Sequence, residues 1–335
     1  MDKHKYLIKS FIGFLFKFYC KLTNALYNKS FILMYHRVAD NIVPPALYDS
    51  AMFVTNNTLE LHIAELKRHF SIISMDDYET NLSNNSKPKC ILTLDDGWAD
   101  NYYNALPVLV DTNTPATIFL TANYIDTNKC FWFHDIWYIA EQCNKRNKVK
   151  EFNTYFSSEV SHPDSAHLLT EDNIAILIDM LKHKKPEDLD TIISNAYLIL
   201  NIVKSKQPTI LDWNQVMEIS NTIVTVGSHG MNHFILTNLL LETKKTEIQE
   251  SLEVFSEKEL HISKYFCYPN GNYDNEVIDI VSNAGFKGAI TTELGYNTPD
   301  TDKFSLKRIA VHDEISSSIY LLWFRIFQSY ISNKN

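Results

Sequence analysis

The stretch Ile91-Leu92-Thr93-Leu94-Asp95-Asp96-Gly97-Trp98 indicates the fold of this chain most clearly. It is an apolar run of strand length that stops at two adjacent carboxylates and a glycine. A second stretch, Ser228-His229-Gly230-Met231-Asn232-His233, follows the apolar run 223–227 in the same way. Because α/β barrels carry their active sites where parallel strands end, we expect the two stretches to meet. Together they offer one carboxylate and two imidazoles to a divalent metal, with a second carboxylate left as a base.

Each stretch taken alone also has an ordinary structural interpretation. Asp95 or Asp96 could simply cap the helix that follows, because aspartate is common at helix N-termini. His229 and His233 could be two polar loop residues, although their spacing of four lets both imidazoles reach one metal from a helical turn. Both stretches follow directly from an apolar strand, and this coincidence favours the joint interpretation as a site for metal-assisted hydrolysis.

The sequence around these stretches alternates between predicted strands and predicted helices. Strands are predicted at 31–36, 71–75, 90–94, 116–121, 223–227, 265–268 and 288–291. Helices are predicted at 58–70, 100–110, 213–220, 239–260 and 275–284. This alternation predicts an α/β fold with a largely parallel sheet or barrel.

The alternation is interrupted between about residues 128 and 209. Helical patterns replace it there, at 135–143, 172–183 and 189–203. The sequence therefore predicts a helical insertion at about 128–209. Within it lies a basic patch, which we interpret as a solvated turn: Lys145, Arg146, Lys148 and Lys150.

The composition bounds the class of protein. With 335 residues, 45% of them hydrophobic, the chain can bury a sizeable core. The formal net charge of -9 argues against nucleic acid as a partner, since nonspecific nucleic-acid binding needs a basic surface. The five cysteines are widely spaced and form no Cys-x-x-Cys pair, which indicates reduced thiols in the cytoplasm.

Both ends of the chain are aromatic and amphipathic. Residues 1–30 predict an amphipathic helix, because Lys17 and Lys21 share one face while Phe11 and Phe18 lie away from it. The apolar run is too short to span a bilayer, so the helix lies on a membrane surface or packs on the protein, unless the segment is a cleaved signal peptide. The segment 316–335 predicts a second aromatic helix. Both termini could contact the same membrane, or each other.

A third motif completes a resemblance to a known family. Tyr268-Pro269-Asn270-Gly271 follows the next predicted strand, where a Pro-x-Gly turn can point backbone N–H groups at a developing oxyanion. With residues 93–97 and 228–233, this motif makes the chain similar to the polysaccharide deacetylase family, the NodB-homology domain of carbohydrate esterase family 4. Residues 33–38 resemble the opening strand of the branch with a Tyr-His pair. Residues 306–313 lie where the last motif is expected.

The resemblance implies a distorted (β/α)7 barrel over residues 31–315, with the insertion inside it. It also implies that Asp95 is the catalytic base and that Asp96, His229 and His233 bind the metal. Zinc is the metal we expect, with cobalt, nickel and manganese as alternatives.

Further roles follow from the same resemblance. The backbone N–H of Asn270 would hold the oxyanion, with Tyr268 beside it in the substrate site. His36 would line the sugar pocket or form a structural hydrogen bond. His312 is the candidate catalytic acid, with an ordinary loop histidine as the alternative. Arg308 is placed near the substrate.

Three positions depart from the family pattern. Cys267 stands where the third motif often has an arginine, and Arg308 is a candidate to supply the missing charge. Asn270 replaces a tyrosine, which keeps the backbone donor but alters the pocket. Gly230 stands where the family usually has serine or threonine.

The sequence thus predicts a metal-dependent hydrolase that removes the N-acetyl group from an acetamido sugar of a surface polysaccharide or of a lipid-linked glycan precursor. A cytoplasmic location, peripheral at the inner face of the membrane, suits a precursor better than a finished wall polymer. The alternatives are a deformylase or O-deacetylase acting on a lipid-linked sugar, or a catalytically weak glycan-binding member of the family. Retention of Asp95 beside three metal ligands argues against a mere binder.

Overall fold

The computed structural model describes residues 3–39, 49–81, 87–160, 169–204 and 209–333. The chain forms two compact units, of which the larger comprises Met1–Asn41, Ser50–Thr127 and Ile210–Asn335. The smaller unit contains Asn128–Thr209.

The larger unit holds the strands of the described chain. They are β1 Ser30–Tyr35, β2 Arg37–Ala39, β3 Phe53–Thr55, β4 Ser71–Ile72, β5 Lys89–Leu94, β6 Ala116–Leu120, β7 Val224–Ser228, β8 Ile262–Cys267, β9 Gly288–Leu294 and β10 Leu306–Ala310. Seven of them form a ring in the order β1-β10-β9-β8-β7-β6-β5, and pairing of β1 with β5 closes it. All of these pairings are parallel. The predicted (β/α)7 barrel is confirmed.

The ring differs from the sequence prediction in one strand. The predicted strand 71–75 is only the two-residue β4, which pairs with the first residues of β5. The seventh place in the ring belongs to β10, for which no strand was predicted. Lys307 and Arg308 interrupt its apolar pattern, and the buried Arg308 makes this strand look like a surface segment in the sequence.

Helices lie in the connections between strands, and others precede β1 and follow β10. In the larger unit they are α1 Lys3–Leu22, α2 Asn56–His69, α3 Tyr78–Asn81, α4 Leu106–Asp111, α9 Trp213–Ser220, α10 Leu241–Glu257, α11 Asn275–Asn283, α12 Asp313–Ser316 and α13 Ile319–Ser332. A π-helical turn, Asn101–Ala105, precedes α4. Among the described residues, no helix combines the length and the apolar character needed to cross a bilayer.

The burial of the strands explains where polar chemistry can sit. Every residue of β1, β5 and β6 is buried, as expected for parallel strands that are covered on both faces. The buried Asp95, Asp96 and His229 directly follow the carboxyl ends of β5 and β7, where the chain turns out of the ring. The turns after β5, β7 and β8 carry the residues that the sequence singled out.

The smaller unit is helical in its described part. Its helices are α5 Trp132–Lys145, α6 Val149–Val160, α7 Glu171–Leu181 and α8 Pro186–Ile199. They surround their own apolar core, which includes Phe152, Phe156 and Leu177. Helix α6 was missed in the sequence, because its start lies in the basic patch that was interpreted as a turn. Lys148 in that patch donates to the carbonyl of Leu200 at 2.7 Å.

Candidate active site

The two adjacent aspartates lie in a tight turn at the end of β5. The N–H of Asp95 still donates to Tyr35 of β1, at 3.0 Å, so Asp95 continues the strand. Asp96 and Gly97 then have φ values of 79° and 81°, in the left-handed region. Glycine enters this region freely and aspartate tolerates it better than most residues. The sharp turn gives the two carboxylates separate sets of contacts.

Asp95 is paired with an arginine that is completely buried. Nη1 and Nη2 of Arg308 donate to the two carboxylate oxygens of Asp95 at 2.8 and 2.7 Å. The other donors of the guanidinium reach the Thr291 carbonyl at 2.6 Å, Thr93 Oγ1 at 3.1 Å and Cys267 Sγ at 3.5 Å. These contacts account for all five N–H groups of an arginine side chain. Arg308 therefore holds Asp95 from within the barrel, and all of its donors are used there.

This ion pair sets the protonation state of Asp95. Burial of the carboxyl tends to raise its pKa, but the adjacent charge and hydrogen bonds of Arg308 outweigh burial and hold the pKa of Asp95 below its usual range. Asp95 is thus a fixed, ionised carboxylate at neutral pH. Cys267 stands where the third motif often has an arginine. In this chain the positive charge next to Asp95 is that of Arg308, from β10.

Asp96 faces the two histidines of the second motif. Its Oδ1 lies 3.4 Å from Nε2 of His229 and 3.3 Å from Nε2 of His233. The other oxygen, Oδ2, accepts a hydrogen bond from the indole N–H of Trp98 at 2.8 Å. His229 is oriented through Nδ1, which lies 2.8 Å from the carbonyl of Cys267. Its Nε2 therefore points toward Asp96.

These three side chains fit a divalent metal. Asp96 Oδ1 is buried and has no hydrogen-bond partner within the described part of the chain, which is unusual for a carboxylate oxygen in a protein interior. The ligand atoms of Asp96, His229 and His233 all lie within 4.8 Å of one another. A carboxylate with two imidazoles is the donor set of many catalytic zinc sites, and a carbonyl on the far nitrogen of a histidine is the usual outer support.

A second cluster of potential ligands shares one member with the first. Asp95, His229 and Cys267 also lie within 4.8 Å of one another. Both oxygens of Asp95 are occupied by Arg308. Burial raises the pKa of the Cys267 thiol, which keeps it protonated, whereas a thiol must lose its proton to bind a metal. The cluster around Asp96 is therefore the better metal site.

The loop that carries His233 is held by a buried glutamate of α10. Glu247 accepts hydrogen bonds from the backbone N–H of Asn232 at 2.9 Å and from its side-chain amide at 2.5 Å. Gly230 has a φ of 77°, and a Cβ there would lie 3.5 Å from Glu247 Oε2. Glycine adopts this left-handed turn without strain, whereas a serine or threonine, as in the family pattern, would be strained at this φ.

The two other histidines predicted for the site, His36 and His312, follow neighbouring strands, β1 and β10. Because Met34 of β1 pairs with Ala310 of β10, His36 and His312 each lie two residues beyond a matched position. Because Tyr35 of β1 also pairs with Leu94 of β5, His36 and Asp95 each directly follow a matched position at the same end of the barrel. His312 directly precedes α12, and its carbonyl accepts from the Ser316 hydroxyl at 2.8 Å.

The third motif is split between the core and the surface. Tyr268 is buried, and its hydroxyl donates to the carbonyl of Phe304 at 3.1 Å, so its side chain faces the core. Asn270 has a left-handed φ of 56°, and Gly271 returns the chain by donating to the carbonyl of Tyr268 at 2.8 Å. The motif thus forms the tight turn that the sequence predicted.

Three supporting residues were missed in the sequence analysis. Trp98, which fixes Asp96, directly follows the Asp-Asp-Gly motif and could have been noticed from its position. The carbonyl of Cys267 is a backbone group, so no side-chain pattern reveals it. Glu247 lies within a helix of ordinary amphipathic character, and only the fold brings it to the histidine loop.

Comparison with known proteins identifies the family. The family model described as "Polysaccharide deacetylase" matches residues 83–289, more than half of the chain. The Bacillus subtilis (strain 168) protein named "Putative polysaccharide deacetylase YxkH" is 21% identical over 300 residues, which cover 86% of this chain and 74% of that protein. The chain belongs to the polysaccharide deacetylase family.

Solved structures show the same fold. The Streptococcus pyogenes deacetylase PplD, in complex with acetate, superimposes with a TM-score of 0.58 and 17% identity, covering 90% of this chain and 98% of that one. IcaB from Ammonifex degensii superimposes with a TM-score of 0.56 and 14% identity, covering 89% of this chain and 97% of its own.

Proposed function

We propose that this protein is a metal-dependent hydrolase that removes the N-acetyl group from an acetamido sugar. The observation that carries the proposal is the arrangement around Asp96 Oδ1, a buried carboxylate oxygen that faces two imidazole nitrogens at 3.3 and 3.4 Å. Beside it, Asp95 is held ionised by Arg308. Family membership supports deacetylation as the reaction class.

The residues divide the reaction between them. A divalent metal on Asp96, His229 and His233 would polarise the amide carbonyl and acidify a bound water. Asp95, which is ionised and buried, would accept the proton of the attacking water. Arg308 keeps that carboxylate charged and oriented before each turnover.

The remaining roles lie at the rim of the barrel. The backbone N–H of Asn270 donates to the developing oxyanion, as a donor fixed in a tight turn. His312 protonates the leaving amine, and His36 lines the sugar pocket. Tyr268 and Arg308, whose side chains are buried, support the substrate site from behind and do not touch the sugar.

The substrate we propose is an acetylated glycan at the surface or its lipid-linked precursor. The chain is acidic overall, which suits a neutral glycan and not nucleic acid. We further propose a cytoplasmic location, peripheral at the inner face of the membrane, where a lipid-linked precursor would be presented. Residues 31–315 would form the catalytic domain with the insertion inside it.

Metal loading tests the ligand assignment. Elemental analysis of protein loaded with zinc, cobalt, nickel or manganese should give about one equivalent per chain. Asp96→Ala, His229→Ala and His233→Ala should each lose the ion, whereas Glu253→Ala, at an exposed position of α10, should keep it. Unchanged metal content in all three ligand variants would overturn the assignment.

Product analysis tests the reaction. The metal-loaded protein is incubated with N-acetylated, O-acetylated and N-formylated amino-sugar oligomers, and released acetate and formate are quantified. Acetate from the N-acetylated oligomer, lost in Asp95→Asn, is the expected result. Formate alone would indicate a deformylase, and acetate only from the O-acetylated oligomer would indicate an esterase. Glycan binding with no release from any oligomer would indicate a binding protein.

A further inference from the structure

The first helix is fixed on the last one by a close crossing. A Cβ at Gly13 of α1 would lie 1.9 Å from the carbonyl oxygen of Tyr320, so the two helix backbones are nearly in contact there. Phe16, also on this side of α1, is buried against Phe327 and Tyr330, with ring centroids 5.2 and 5.3 Å apart. Gly13 and Phe16 thus define the inner face of α1.

The lysines in the middle of α1 also turn inward. Lys17 Nζ lies 2.5 Å from Oε1 of the buried Glu65, and Lys9 lies over the ring of Phe324 at 5.9 Å. The sequence analysis placed Lys17 on a polar face directed away from the apolar side chains. In the structure Lys17 turns toward the protein, while Lys21 of the same face stays exposed, and the apolar face of α1 points outward.

The outward face is a continuous apolar ridge. At about 100° per residue, its members fall within an arc of about 100° opposite Gly13. We call them the outer ridge: Leu7, Ile8, Phe11, Leu15, Phe18 and Leu22. All six are exposed, from 48% for Leu15 to 69% for Leu22. Soluble surfaces rarely carry six contiguous large apolar side chains without a partner.

Charge identifies the kind of partner. Lys3 and Lys21 border the outer ridge on one side and Lys5 on the other, by the same projection. Helix α1 has no acidic residue, although the whole chain has a formal net charge of -9. A basic border around an apolar face is the pattern of helices that lie in the interface of anionic membranes.

We propose that the outer ridge of α1 inserts into the surface of a bilayer that contains anionic lipid, with α13 as its rigid backing. The apolar side chains enter the acyl boundary while Lys3, Lys5 and Lys21 meet phosphate groups. A second copy of the chain fits less well, because pairing two identical ridges about a twofold axis would bring their lysine borders together. This inference stands independently of the proposed reaction.

Vesicle flotation tests the proposal. The full chain is mixed with vesicles of about three parts phosphatidylcholine to one part phosphatidylglycerol, and with vesicles of phosphatidylcholine alone. We expect binding to the anionic vesicles, weakened by salt, and a tenfold or greater loss in Phe11→Gln/Phe18→Gln. Leu198→Gln/Ile199→Gln is the matched control, since it removes two exposed apolar side chains, 77% and 63% exposed, from α8.

The result separates the alternatives. Leu7→Gln/Leu22→Gln repeats the test at other exposed positions, so that it does not depend on one variant. Equal binding by the wild type and both ridge variants would overturn the proposal. So would a wild-type dimer that both ridge variants convert to monomers without any vesicle binding. Metal content and turnover of a soluble oligomer should be unchanged in the ridge variants, so failure here is distinct from failure of the proposed function.

Discussion

Arg308 contacts both carboxylate oxygens of Asp95, at 2.8 and 2.7 Å, across 213 residues of sequence. Both side chains are buried, and the guanidinium has no donor left for another partner. In this chain the residue two positions before the proline of the third motif is Cys267, whose sulfur lies 3.5 Å from Nη2 of Arg308. The charge that orients the carboxylate and the turn of the third motif therefore follow from different strands, β10 and β8.

Replacing Asp95 should separate catalysis from metal binding. In Asp95→Asn we expect turnover to fall by about 10²–10⁴, because the proposed general base is removed, while metal content stays near that of the wild type. Steady-state kinetics and elemental analysis on the same preparation measure both effects. Asp96→Asn is the matched control and should lose the metal. Turnover close to the wild-type value in Asp95→Asn would assign the base elsewhere.

Removing Arg308 should leave a buried charge without a partner. We expect Arg308→Met to lower the free energy of unfolding by about 3–5 kcal/mol, measured by urea titration. The double variant Asp95→Asn/Arg308→Met should be more stable than Arg308→Met alone, since it leaves no unpaired carboxylate. Additive effects of the two substitutions would show that the ion pair has no coupling energy.

Glu247 should affect metal affinity although it does not touch the ligand atoms. Glu247→Ala removes the acceptor for both N–H groups of Asn232, next to His233. Loss of an outer support of this kind typically weakens metal binding by about 10–100-fold. Competition with a chromogenic chelator measures the change. Glu253→Ala, on the same helix but exposed, should have no effect, and equal affinities in the two variants would contradict the role of Glu247.

His62 should make the fold sensitive to acid. It is buried between the Tyr35 hydroxyl at 2.9 Å and the Ser316 carbonyl at 2.7 Å, and burial lowers its pKa from 6.5 to about 4. Because the folded pKa is below the unfolded one, the contribution of neutral His62 is complete above pH 6.5 and is lost as pH falls toward 4. Over this range we expect the wild type to lose about 3 kcal/mol more than His62→Gln.

Urea unfolding at a series of pH values measures this difference. The other histidines are shared by both proteins, so subtraction of the two curves isolates the titration of His62. Parallel curves between pH 6.5 and pH 4 would show that His62 does not govern the acid response.

The sequence predicted the barrel because its signals were local. The apolar runs before Asp95 and before His229 have strand length, and each ends at the polar residues that the ring brings together. Strand β10 was not predicted, because the buried Arg308 inside it breaks the apolar pattern by which a buried strand is recognised. Its burial depends on Asp95, which is distant in sequence, and no local rule predicts such a pair.

The orientation of α1 shows a second limit of sequence reasoning. Its amphipathic pattern was visible, yet periodicity gives only the two faces and not which of them packs on the protein. Two contacts fix the inward face of α1. Lys17 pairs with Glu65, a buried carboxylate of α2, and the small Gly13 lies at the crossing with α13. Both contacts involve residues of other helices, Glu65 of α2 and Tyr320 of α13, so the sequence of α1 alone does not reveal them.

The position of Arg308 on the strand that closes the ring has a consequence for biosynthesis. As the chain leaves the ribosome, the aspartates and both histidines emerge well before β10, so Asp95 cannot pair with Arg308 until the last strand of the ring is made. The ring is open between β1 and β9 at that stage, because β10 separates them in the finished barrel. The strand that closes the ring and the counter-charge of Asp95 are therefore added to the chain together, late in its synthesis.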